Sequence, residues 1–160
     1  MTKLILLLML CIWTAGAGAQ DMGSGDIDLG SGGYAASISQ TGSGHNAVID
    51  QIGASAASVI QQGSSNTATV RQEGGGNTAR ISQSGSGNEV LADQSGGGNL
   101  LTVGQTGSSN RVQATQTGGA TATVQQTGGS NLVIVDTLVN GGAIGVTQIG
   151  SGATVTATQF

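Results

Sequence analysis

From residue 29 onward the chain alternates small apolar and polar side chains in short bursts, each closed by a glycine-rich interruption. In the stretch 72–83, Asn77, Ala79, Ile81 and Gln83 fall on one side of a period-two pattern, and Thr78, Arg80 and Ser82 on the other. The stretch 94–105 places Asn99, Leu101, Val103 and Gln105 together, and 105–116 does the same with Asn110, Val112, Ala114 and Gln116. A period of two marks a β-strand with one buried face. Each burst therefore predicts one strand, and each glycine cluster, such as Gly74-Gly75-Gly76, predicts a turn.

The bursts form a repeat. Glutamine recurs at Gln40, Gln51, Gln61, Gln72, Gln83, Gln94, Gln105, Gln116, Gln126, Gln148 and Gln159, in steps of eleven or, twice, ten residues, with Thr137 in the one missing position. Two residues after every one of these glutamines but Gln159 stands a glycine: Gly42, Gly53, Gly63, Gly74, Gly85, Gly96, Gly107, Gly118, Gly128 and Gly150. Asparagine follows the glutamine by five at Asn66, Asn77, Asn88, Asn99, Asn110 and Asn131. A single strand and turn cannot bury its own apolar face, so two successive units pair as a strand-turn-strand coil, and coils stack on one another. Twelve units from Leu29 to Phe160 give six coils. The fold expected is all-β, a two-sheet β-solenoid with coils ~4.8 Å apart, cross-β when assembled and disordered before assembly. Inward glutamines and asparagines are costly alone, but stacked over their equivalents they bond in ladders. The same register puts Asp50, Arg71 and Asp93 in one outward column and sets Glu89 beside Arg111, alternations of sign that favour correct stacking.

Composition sharpens this picture. The chain has 30 glycines, no proline, 2% aromatic and 8% charged residues. It lacks the large side chains of a conventional core, and its low charge argues against simple disorder. The absence of proline suits long uninterrupted β ladders.

The first residues read as a targeting segment. Lys3 gives a basic start, Leu4 to Trp13 is an apolar run, and Ala17-Gly18-Ala19 fits a small-x-small cleavage site. The run is shorter than the roughly 20 residues of a membrane span. Residues 1–19 are thus expected to be a secretion signal, 20–33 a Gly-rich export segment and 34–160 the repeat core. Cys11 falls in the signal; bulky Leu10 before it, and its early position, argue against lipidation. Without the signal, Arg71, Arg80 and Arg111 face eight acidic residues, a net charge of −5 with no basic stripe for nucleic acid.

Chemistry is hard to find in the repeat. His45 fills the asparagine position of its unit and reads as a turn-edge histidine, since a metal site needs several convergent ligands. One histidine without a pocket does not make a hydrolase, and no Gly-Lys-Ser/Thr follows the glycine strings. No catalytic residue, cofactor, metal or small-molecule substrate is expected. Calcium-binding β-rolls repeat every nine residues with aspartate. An ice-binding face needs a continuous threonine surface, which Glu89, Leu91, Arg111 and Gln113 interrupt.

The unit Gln-x-Gly-x-x-Asn-x-Ala, clearest at Gln61 to Ala68 and Gln72 to Ala79, resembles the curlin repeat of bacterial curli fibre subunits. The closing Ala157-Thr158-Gln159-Phe160 is similar to the last repeat of the major subunit more than to a nucleator. The resemblance implies a functional amyloid: a homopolymeric fimbrium, or pilus-like fibre, on the cell surface, serving biofilm matrix and adhesion. It also implies export through the periplasm by chaperones and an outer-membrane pore, a nucleator subunit as partner, and repeat glutamines and asparagines that drive polymerisation. The rival reading is a secreted monomeric β-solenoid acting as adhesin or binding module, which would carry end caps. Unit 137–148 has Thr137 for Gln, Val139 for Gly and Gly142 for Asn, and is expected to be the weakest polymeriser.

Overall fold

A computed structural model describes residues 33–138 and 141–160, together with the backbone of two short strands near the N-terminus. Those two are β1, Lys3–Leu8, and β2, Ile27–Asp28. The repeat supplies β3 Ala35–Ser43, β4 Asn46–Ile52, β5 Ala56–Ser64, β6 Thr67–Glu73, β7 Thr78–Ser86 and β8 Glu89–Ser95. It continues with β9 Leu100–Ser108, β10 Arg111–Thr117, β11 Thr121–Gly129, β12 Leu132–Thr137, β13 Ala143–Ser151 and β14 Thr154–Gln159. The expected cleavage point after residue 19 and most of the segment 20–33 lie outside the described residues.

Odd-numbered repeat strands build one parallel sheet and even-numbered ones the other, so the chain winds through six coils. Register is kept throughout: Gln61 pairs with Gln83 and Gln83 with Gln105 in the odd sheet, and Gln72 with Gln94 in the even sheet. The inward side chains are as the alternation requires. Ala68, Val70, Ala79, Ile81, Leu101, Val103, Val112 and Ala114 are buried in one core between the sheets. At the N-terminal end the pattern changes sense, because β1 pairs antiparallel with β4 and β2 with β3.

The turn glycines need one correction. After even strands, Gly53, Gly74, Gly96 and Gly118 lie in the arcs, as expected; after odd strands, Gly42, Gly63, Gly85, Gly107, Gly128 and Gly150 remain within the ladder. All ten have positive φ. At Gly63 the reason is steric as well as conformational, since a Cβ there would stand 2.1 Å from the carbonyl oxygen of Gly85 in the next coil.

The outer faces differ. Among residues 33–160, every charged side chain except Arg80 sits on an even strand, on the outward alternation. The column of Asp50, Arg71 and Asp93 is in register, but the ion pair of Arg71 is made with Glu73, two residues along the same face. That hydrogen bond, and then the Glu73 charge, push the Arg71 guanidinium above its ordinary value. Arg111 and Glu89 do pair, at 3.6 Å. Both pairs are exposed and contribute register rather than much stability.

Candidate functional site

The functional features lie inside the coils. The repeat glutamines lie on the inward side of their strands, where most of their amides meet the glutamine of the next coil. In the odd sheet, Nε2 of Gln40, Gln61, Gln83, Gln105 and Gln126 donates to Oε1 of the following ladder member, Gln61, Gln83, Gln105, Gln126 and Gln148, at 2.8–2.9 Å. In the even sheet, Gln51 donates to Gln72, Gln72 to Gln94 and Gln94 to Gln116, at 2.7–2.8 Å. The same Nε2 reaches across the core to a backbone carbonyl of the opposite sheet, as from Gln83 to Thr67 at 3.0 Å and from Gln94 to Thr78 at 3.1 Å. The eight ladder glutamines from Gln51 to Gln126 therefore tie the coils to one another and the two sheets together.

The asparagines form a second ladder in the arcs. Asn88, Asn110 and Asn131 each donate, through backbone N and through Nδ2, to Oδ1 of the asparagine below, at 3.0–3.3 Å. Asn99 treats Asn77 the same way, and Ala120 N caps Asn99 Oδ1 at 2.9 Å. Glutamines thus donate toward the C-terminal end, whereas these asparagine amides donate toward the N-terminal end. In the ten-residue units Ser55 and Ala120 occupy the asparagine position and are buried there, Ser55 donating to the Gly74 carbonyl as an asparagine would.

Two features escaped the sequence reading. His45 stands at the turn between β3 and β4, but it is buried there, at the foot of the asparagine ladder. Its Nδ1 accepts from Asn66 N at 3.3 Å and its Nε2 faces the Thr41 carbonyl at 3.0 Å. The second is direction. Because every glutamine donates the same way, the ladder ends are chemically different: Gln51 Oε1 at the first coil and Gln148 Nε2 at the last have no hydrogen-bond partner though buried. The signal for this was absent, since a side-chain amide carries donor and acceptor alike.

Unit 137–148 departs as its residues announce. Thr137 is buried in the glutamine position but donates back to the Thr115 carbonyl at 3.3 Å, and Gln159 Oε1 above it has no partner. Gly142 fills the asparagine position, buried and without an amide. The last coil also bears the two most exposed large apolar side chains described, Ile149 at 80% and Phe160 at 85%.

A parallel two-sheet β-solenoid cross-linked by directional amide ladders defines a class of stacking module. Comparison with known families gives that class its place: the curlin associated repeat matches residues 54–85, 63–95 and 85–118. Residues 54–118 are thus similar to curlin associated repeats. No curated protein and no solved structure matches it.

Proposed function

We propose that the chain is the structural subunit of an extracellular amyloid fibre that grows by head-to-tail stacking of whole solenoids. The observation that carries this is the pair of unmet ladder ends. At the tail, Gln148 Nε2 is a donor without an acceptor. At the head, Gln40 begins the same ladder as a donor to Gln61, leaving its Oε1 for an incoming amide. Laid on Gln40 of a second copy in the register already used five times in that sheet, Gln148 completes the row, and Gln159 likewise lies over Gln51. Head against head would set acceptor on acceptor. Such a heterologous contact does not close, and it yields filaments rather than rings or dimers.

In this reading residues 1–19 are the secretion signal, residues 20–33 address the chain to an outer-membrane pore, and periplasmic chaperones hold it unfolded on the way. A nucleator subunit starts the fibre at the cell surface, where the polymer serves biofilm and adhesion. The repeat glutamines and asparagines are the polymerising residues, and no catalytic role is assigned.

The test uses purified chain beginning at Gln20. It is expected to pass from disordered to β-rich fibres with a ~4.8 Å meridional reflection. A chain that folds and stays monomeric at high concentration is instead the secreted solenoid adhesin. Gln40→Ala and Gln159→Ala are each expected to slow elongation from seeds; unchanged rates would remove the head-to-tail joint from the mechanism.

A further inference from the structure

We propose that His45 makes the head coil acid-sensitive, so that growth of the fibre requires this imidazole to be neutral. The inference rests on the assembly reading above.

The geometry assigns the ring. A backbone N–H is a donor only, so the His45 Nδ1 that stands 3.3 Å from Asn66 N carries a lone pair and no proton. The other nitrogen, 3.0 Å from the Thr41 carbonyl, then holds the hydrogen. This is a copy of what asparagine does one coil higher. Asn66 Oδ1 accepts from Asn88 N at 3.0 Å, while Asn66 Nδ2 donates to the Gln62 carbonyl four residues back, also at 3.0 Å. Neutral histidine in this one tautomer reproduces an asparagine amide, acceptor upward and donor to the carbonyl at i−4. That explains how a ring fits a ladder slot while only 6% exposed.

The imitation fails on protonation. Imidazolium has two donors and no acceptor, so Nδ1–H would point at Asn66 N–H, and a buried backbone donor would lose its partner. Among the described residues, the surroundings offer the cation nothing in return. β3 and β5 carry no charged residue. Asp50 of β4 and Arg71 and Glu73 of β6 stand on the outward alternation toward the far ends of those strands. By register Lys3 of β1 lies opposite Ile52, and Asp28 of β2 opposite Ala35, both away from the His45 arc. The tail strands β13 and β14, which would cover the head in a fibre, have no charged side chain either. Asparagine in the same slot has no proton to gain. Histidine thus confines acid sensitivity to the coil that receives the next copy.

The deciding experiment measures seeded elongation of the chain from Gln20 and of its His45→Asn variant at about pH 7.5 and pH 5, a range in which histidine changes charge. The variant carries the residue found in this slot in four other coils, so its folding is not in question. Elongation of the unaltered chain is expected to fall by about tenfold or more at the lower pH, the loss of one buried hydrogen bond, while the variant holds its rate. Carboxylate titration affects both chains equally. Identical pH profiles would overturn the proposal and leave the fibre reading standing; no fibres from either chain at either pH would overturn the fibre reading itself. Nitrogen NMR of the imidazole in fibres grown at pH 7.5 gives a second readout. It is expected to find Nδ1 bare and Nε2 protonated, and the opposite tautomer would also overturn the proposal.

Discussion

Thr137 lies directly over Gln116 and ends the glutamine ladder of the even sheet. Its hydroxyl turns back to the Thr115 carbonyl, so neither Gln116 below nor Gln159 above finds an amide there. Replacing Thr137 with glutamine is expected to restore both contacts. At about 1 kcal/mol of net gain, the soluble chain left in equilibrium with fibres would fall about fivefold. An unchanged or higher residual concentration would show that the ladder gap costs nothing.

An interior glutamine should behave in the opposite sense. Gln72 accepts from Gln51, donates to Gln94 and reaches the Ala56 carbonyl. Gln72→Ala leaves the buried Gln94 Oε1 without its donor, takes one acceptor from Gln51 Nε2, and opens a void between the sheets. The expected loss is about 3 kcal/mol or more, read as a lower denaturant midpoint of the fibres. A midpoint within error of the unaltered chain would refute the ladder as a source of stability.

Backbone geometry gives two substitutions of opposite sign close together in one coil. Gly63→Ala would drive a methyl group into the Gly85 carbonyl at a φ of 107°. It should block assembly. Ser65, two residues on, holds φ at 54° with a side chain, where Gly44 and Gly87 occupy the equivalent slot. Ser65→Gly should therefore relieve strain of order 1 kcal/mol, shortening the lag of fibre formation. If both variants slow assembly alike, loop strain is not the controlling quantity.

The N-terminal strand β1 has a consequence that can be measured in vitro. β1 pairs antiparallel with β4 along the edge that a parallel tail strand would need. The chain from Met1 is expected to show a lag several times longer than the chain from Gln20 at equal concentration. Equal lags would mean that β1 does not hold this edge.

Much of this was legible in the residues. The alternation from Asn77 to Gln83 gives strand, face and buried polar slots at once, because a strand has a period of two. Coil size followed from the glutamine step, since neither unit can bury its face alone. Local choices were not legible. Arg71 takes Glu73 rather than its neighbours in the column because residues two apart on a strand share a face and meet without bridging coils. His45 looked like a turn-edge residue and no more, because its role depends on a tautomer, which no spacing reveals. Ladder direction was hidden too, for an amide can face either way until its neighbours decide.

That direction has one more consequence. A copy seated on Gln148 would satisfy that amide and offer its own Gln148 in exchange, unchanged in kind and aim. Addition would then never exhaust the group that makes addition favourable. The tip would be renewed at every step, as in a living polymerisation, and fibre length would be set by supply rather than by any terminus written into the chain.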